Sequence, residues 1–129
     1  MKKLFICFIA FCALGMSACI TTTSSPSFNK KKAVISLDGN PTTGYTWTYS
    51  QAKDYIVREV STEYKAKKPS AIGKGGTFFF VFEGINKGET ELIFEYLRPW
   101  ETDAKPIETK NYIFEVDTDK NISFKEKKK

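Results

Sequence analysis

The chain has 129 residues, of which 41% are hydrophobic and 15% aromatic, the make-up of one packed domain rather than of a disordered or fibrous chain. It contains no histidine, and its three cysteines, Cys7, Cys12 and Cys19, all fall near the start, which excludes Ser-His-Asp and Cys-His nucleophile systems, the usual transition-metal ligand sets and any disulfide framework in the domain. The formal net charge of +5 drops to +3 without Lys2 and Lys3, and much of it sits in Lys30–Lys32 and the tail KEKKK, so the basic runs read as solvated ends rather than as a nucleic-acid surface.

The chain opens with Lys2 and Lys3 before an apolar run, Leu4 to Met16, that is too short to cross a bilayer of roughly 30 Å as a helix. Residues 1–18 therefore read as a signal peptide. Met16-Ser17-Ala18-Cys19 resembles the lipobox of bacterial lipoproteins, in which the cysteine is lipidated and becomes the mature N-terminus, although Met16 stands where leucine is usual. Cleavage near Ala18 that leaves Cys19 as a plain thiol is the other reading. Either way the protein is expected to be exported, as a membrane-anchored lipoprotein or a secreted one. Contact between the lysine runs and an anionic surface would strengthen an anchor at Cys19. Residues 19–30, rich in Thr and Ser, read as a disordered tether, 31–124 as the domain and 125–129 as a basic tail.

Within the domain apolar residues recur with period two. AVISL at 33–37 alternates, and Tyr45-Thr46-Trp47-Thr48-Tyr49 puts three aromatics on one face and two threonines on the other. Between Asp54 and Tyr64 the phase is broken, since Ile56 agrees with Val60 and Val57 does not. Thr77 to Phe82, TFFFVF, is apolar at five consecutive positions, and predicts a strand buried on both faces or one whose outer face meets an aromatic neighbour. Leu92, Phe94 and Tyr96 share one side of the next segment, as do Tyr112, Phe114 and Val116 of the last. Turn-forming clusters separate these runs, at 38–41, 73–76, 84–88 and 98–99. Six or seven short strands and no helical period predict an all-β, immunoglobulin-like antiparallel β-sandwich, with a small barrel as the alternative.

Little in the sequence suggests catalysis. Glu89, Glu91 and Glu95 fall on the solvent side of their strand, a poor setting for acid–base work at neutral pH. Asp117-Thr118-Asp119 lacks the later glycine and glutamate of a calcium loop and reads as a turn. Gly73-Lys74-Gly75-Gly76 is no phosphate loop, because glycines separate the lysine from Thr77 and a strand follows. These residues single out no cofactor or metal site and no catalytic group.

Three segments are unusual for plain turns. In Asn40-Pro41-Thr42-Thr43-Gly44-Tyr45 the proline fixes one φ angle, the glycine permits a positive one and the threonines are stiff. Gly73-Lys74-Gly75-Gly76 lets another backbone approach closely. Arg98-Pro99-Trp100 holds a large aromatic beside a proline at the end of a strand, and Trp and Arg often carry binding energy at interfaces. Strand order sends all three loops to one end of a sandwich.

At these residues the sequence resembles the chagasin family, protein inhibitors of papain-like cysteine proteases, which carries an NPTTG(Y/F) motif, a GxGG motif and an RP(W/F) motif in this order. The resemblance implies an immunoglobulin-like fold whose three loops form a wedge in the protease cleft. Thr42 and Thr43 would sit at the catalytic cysteine, Gly73 to Gly76 along the non-primed side, and Arg98 and Trp100 on the primed side. Asn40 would shape the first loop by bonding its own backbone, and Tyr45 by packing into the core. The expected partner is a papain-like cysteine protease met by a monomer, with no nucleic acid involved. A competing reading, an exported carbohydrate-binding or adhesion sandwich, would need several exposed rings. By alternation Trp47 points with Tyr45 and Tyr49 to the core, which leaves Trp100 nearly alone. A third reading, an envelope lipoprotein with no cleft partner, predicts that changing Thr43 or Trp100 alters nothing but stability.

Overall fold

An alternating strand has one apolar face, and it leaves water only by stacking that face on another sheet. The structure, a computed structural model that describes residues 26–68 and 73–125, adopts this solution. Its strands are β1 (Ser27–Asn29), β2 (Lys32–Gly39), β3 (Thr46–Gln51), β4 (Val57–Ala66), β5 (Gly76–Gly84), β6 (Gly88–Leu97), β7 (Glu108–Val116) and β8 (Ile122–Lys125). They form two four-stranded sheets, ordered β1-β2-β5-β4 and β3-β6-β7-β8, in which every pairing is antiparallel. The fold is the immunoglobulin-like antiparallel β-sandwich that the alternation predicts.

The inward positions interlock as aromatic pairs. Phe94 on β6 meets Phe80 edge-on at 5.0 Å between ring centroids, Tyr49 at 5.3 Å and Tyr112 edge-on at 5.7 Å. Ala33, Ile35 and Leu37 of β2 and Leu92, Phe114, Val116 and Ile122 of the facing sheet complete the core. Burying a side chain of this size contributes about 1.5–3 kcal/mol, so the shared face accounts for most of what holds the sheets together. Trp47 lies in this core at 5% exposure, as its alternation with Tyr45 and Tyr49 requires.

Two features differ from the sequence pattern for physical reasons. TFFFVF is not buried on both faces: Phe78, Phe80 and Phe82 enter the core, while Phe79 and Val81 are half-buried on the outer face. Among the described residues no aromatic ring packs on Phe79; the Lys65 ammonium lies 5.4 Å from its ring centroid. The protection is positional, because β5 is an inner strand with β2 and β4 hydrogen-bonded on either side. The broken phase of residues 54–64 has two causes: Ile56 is buried from the turn that precedes β4, next to the buried Val57 that opens the strand, and a β-bulge between Glu59 and Ser61 leaves Val60 unpaired and exposed.

The ends of the domain also differ. Ser27–Asn29, at the close of the expected tether, pair with β2, and Lys125, the first residue of the expected tail, ends β8 and donates to Glu89 at 3.0 Å. The signal segment, Cys19 and residues 126–129 lie outside the described residues. Asp117 does open a turn: its carboxylate accepts from the Asp119 N–H at 2.8 Å, the Asn121 N–H at 2.9 Å and Asn121 Nδ2 at 3.0 Å. These bonds, the Asn121 backbone N–H first among them, hold its carboxyl below the usual carboxylate range.

Candidate functional site

Register alone fixes where the three loops emerge. Gly39 of β2 lies opposite Gly76 of β5, Ala66 of β4 opposite the same Gly76, and Thr46 of β3 opposite Leu97 of β6. The β2–β3, β4–β5 and β6–β7 connections therefore leave the sandwich at one end.

The first loop is a single 3₁₀ turn, Pro41–Thr43, with Asn40 as its N-cap and Gly44 as its C-cap. Asn40 Oδ1 accepts from the Thr42 N–H at 3.2 Å and the Thr42 hydroxyl at 2.6 Å, and the Thr43 hydroxyl donates to the Asn40 carbonyl at 2.6 Å. Gly44 closes the turn with φ at 83°, a left-handed conformation, and donates its N–H to the Pro41 carbonyl at 3.0 Å. Proline, the cap and the two hydroxyl bonds thus fix a turn whose Pro41, Thr42 and Thr43 side chains are all exposed. The base of the loop is tied across the sandwich, since the Asn40 N–H donates to the Tyr96 hydroxyl of the opposite sheet at 2.7 Å. Beneath it Trp47 stacks on Tyr96 at 5.0 Å and donates its indole N–H to the Asp38 carbonyl at 3.0 Å.

The second loop is held against the first. Asn40 Nδ2 donates to the Gly73 carbonyl at 3.0 Å. Gly75, with φ at 62°, lies so close that a Cβ there would stand 2.9 Å from the Gly39 carbonyl oxygen and 3.3 Å from Asn40 Cβ. The glycines thus allow close approach partly within the molecule. Gly75 and the buried Gly76 face the protein's own backbone, Gly73 has open space around its Cα, and Lys74 is exposed.

The third loop begins with a tight turn, Arg98 to Glu101, closed by the Glu101 N–H donating to the Arg98 carbonyl at 3.1 Å. Pro99 takes the second position, where its fixed φ suits a turn, and Trp100 is at the tip. The indole of Trp100 lies on Gly44: a Cβ there would come within 2.7 Å of Trp100 Cζ2. The other side of the ring is open, and the residue is 66% exposed. Arg98 places its guanidinium 4.5 Å from the centroid of Tyr45, whose ring meets Tyr96 at 5.4 Å.

The structure therefore brings all three motifs to one continuous edge. Asn40 and Tyr45 shape the first loop as their chemistry predicts. Two contributors escape the sequence pattern: the Tyr96 hydroxyl, which anchors Asn40, and Glu101, which pairs with Arg98 Nη1 at 3.3 Å. Glu101 follows Arg98 by three residues, a spacing that signals this bridge. Among the described residues no three His, Cys, Asp or Glu side chains gather into a metal site.

Comparison with known proteins bears on the domain as a whole. Residues 29–116 match the family described as Chagasin family peptidase inhibitor I42. Amoebiasin-1 of Entamoeba histolytica is 33% identical over 85 residues, which cover 64% of this chain and 79% of the relative. The crystal structure of the cysteine protease inhibitor EhICP2 from Entamoeba histolytica aligns with a TM-score of 0.57 and 27% identity, over 64% of this chain and 75% of the other. With the family match spanning most of the sandwich, the chain belongs to the chagasin family of peptidase inhibitors.

Proposed function

We propose that the protein is a reversible, tight-binding inhibitor of papain-like cysteine proteases that fills the catalytic cleft with its three-loop edge. The observation that carries this reading is the pre-formed first loop, a capped 3₁₀ turn that exposes Pro41, Thr42 and Thr43 and is bolted at its base to Gly73 and Tyr96. A loop already held in one conformation loses little entropy on binding, which is where tight inhibitors gain over flexible substrates. Thr42 and Thr43 enter beside the catalytic thiolate, the 73–76 loop follows the non-primed side and Trp100 anchors the primed side. Because 41–43 curve as a helical turn and not as an extended strand, no peptide bond is laid out for attack. Inhibition is occlusion, with no covalent step, cofactor or metal. Three loops suit an interface of roughly 1,600 Å² in total.

The name of EhICP2 as a cysteine protease inhibitor supports this target class. The sugar-binding reading loses its support from aromatic rings, since Trp47 is buried and the exposed rings of the described residues, Trp100 at the loop edge and Tyr55 beside Asn86 at the far end, do not share a face. The sequence of residues 1–19 supports export, with Cys19 as the lipidated residue of a membrane-anchored form.

Titration of papain with the purified protein, read with a fluorogenic peptide and followed by a gel, tests the proposal. Stoichiometric loss of activity with an uncut inhibitor is expected. Absence of inhibition by a folded protein, or cleavage between residues 40 and 45 in step with turnover, would overturn it.

A further inference from the structure

The Arg98 side chain sits in an arrangement that its place in a protease-facing motif does not explain. Its guanidinium lies 4.5 Å from the Tyr45 ring centroid, its Nη1 is 3.3 Å from Glu101 Oε1, and its Nε is buried with no hydrogen-bond partner among the described residues. An arginine that grips a partner's carboxylate bidentately does so with a pair of N–H groups on one edge of the guanidinium. Here the Nε edge is sealed inside the protein and Nη1 is engaged by Glu101. This closes the bidentate edge that includes Nε, while the guanidinium carbon lies over Tyr45 as a cation on an aromatic ring.

The same turn makes a second contact two residues on. Trp100 rests on Gly44, the neighbour of Tyr45, so the 98–101 turn straddles residues 44–45 with Arg98 on one and Trp100 on the other. Pro99 between them fixes φ, and the backbone bond from Glu101 N–H to the Arg98 carbonyl and the Glu101–Arg98 ion pair close the turn twice. Trp100 alone would have one face against a glycine and the rest in solvent, a poor constraint on a side chain that is 66% exposed. The constraint comes from its turn.

From this geometry we infer that Arg98 is a positioning residue: it docks the third loop on Tyr45 so that Trp100 is presented in one orientation, and acts on the target through Trp100 rather than by contact of its own. This assignment rests on the inhibitory reading of the edge and refines it, because Arg98 leaves the set of residues that touch the protease. It also accounts for the pairing of the motif with an aromatic residue after Gly44, since without the Tyr45 ring the arginine would have nothing to lie on.

A double-mutant cycle on inhibition separates positioning from contact. The inhibition constant for papain is measured for the wild type, Arg98→Ala, Trp100→Ala and the double variant. Arg98→Ala is expected to weaken inhibition by about tenfold or more when Trp100 is present and by less than about twofold when it is absent, because residues that act as one unit are not additive. The same factor in both backgrounds, or no effect in either, would overturn the assignment. Acrylamide quenching gives a readout that needs no protease. Trp47 is buried, so the quenchable tryptophan emission belongs mainly to Trp100 and is identified by its loss in Trp100→Ala. Arg98→Ala is expected to raise the quenching constant, and an unchanged constant would count against positioning. If the wild type fails to inhibit papain, the inhibitory reading falls and quenching alone decides the role of Arg98. If Arg98→Ala does not fold, Glu101→Gln replaces it: that variant keeps the stack, loses the ionic closure and is expected to show a smaller effect that again vanishes without Trp100.

Discussion

The two ends of the sandwich are both tied across their loops, but with different materials. At the far end most ties are main chain: the Ile122 N–H donates to the Lys30 carbonyl at 2.6 Å, the Gly84 N–H to the Lys31 carbonyl at 3.3 Å, and the backbone amides of Ile85 and Asn86 to the Ile56 carbonyl, with the Asn86 side chain donating to the Tyr55 carbonyl at 2.7 Å beside them. At the loop edge the ties run through side chains, from Asn40 to Gly73, from Tyr96 to Asn40, from Arg98 to Tyr45 and from Trp100 to Gly44. A main-chain bond is indifferent to the residue that supplies it, whereas each side-chain tie demands a particular residue. Outside positions such as Gly84, Asn86 and Asp117 the far end can therefore vary in sequence and keep its shape, while the loop edge is written as motifs.

The sharpest test of that division is Thr43→Arg. A long charged side chain on the exposed tip of the first loop is expected to weaken inhibition of papain by about a hundredfold or more, the range of a central hot spot. Unfolding in urea should show a loss of no more than about 1 kcal/mol, the worth of the hydroxyl bond to the Asn40 carbonyl. Comparable losses in both assays would mean that the tip is part of the fold and not a free binding surface.

The opposite pattern is expected at the far end. A Cβ on Gly84 would stand 2.8 Å from the Lys120 carbonyl oxygen and 2.8 Å from Val116 Cγ1, so Gly84→Ala forces the β7–β8 turn outward. A stability loss of about 1–3 kcal/mol is expected from this overpacking, with the inhibition constant unchanged wherever the variant remains folded. A parallel rise in the inhibition constant would show that the two ends communicate.

Asn40→Asp probes the joint between the first and second loops with a smaller change. The Oδ1 acceptor that caps the 3₁₀ turn stays and the Nδ2 donor to Gly73 is lost, for about 0.5–1.5 kcal/mol. Inhibition should weaken severalfold, less than in Thr43→Arg. No change in either stability or inhibition would remove this bond from the account of preorganisation.

The smallest effect concerns pH and belongs to the far end. The Asp117 carboxyl is held low by the Asn121 N–H, and that of Glu83 chiefly by its bond to Arg58. Because both are lowered in the folded state, their stabilisation is present above the ordinary carboxylate range, about pH 4, and fades as pH falls through the folded values. Melting temperature should decline modestly on acidification, and Asp117→Asn should flatten part of that decline. An unchanged pH profile would show that the Asp117 turn adds nothing to the far end.

The same contrast explains what the sequence discloses. Side-chain pattern placed β2, β3, β6 and β7, put Trp47 in the core and left Trp100 outside, because alternation records which face of a strand is wet. It missed β1 and β8, which are short and defined mainly by main-chain pairing, and it blurred at Val60, where one extra residue shifts the phase. The two outward positions of TFFFVF read as covered because five apolar residues in a row suggest burial on both faces. Their shelter comes instead from strand order, which no local window contains. At the site, proline, glycine and tryptophan marked the three loops, but the partners of Asn40 and Arg98 stayed hidden. Tyr96 looks like any inward aromatic until its hydroxyl is seen to meet the Asn40 amide across the two sheets.

That bond between sheets has a consequence in time. Asn40 follows β2 of one sheet and Tyr96 lies on β6 in the other, so the first loop gains this anchor only when the two sheets have docked face to face. Pairings between segments so far apart in the chain form slowly, commonly in milliseconds to seconds for β-sandwiches. During that interval the chain holds every inhibitory residue and no inhibitory surface, and recovery of papain inhibition after dilution from denaturant would mark the last step of folding rather than the first.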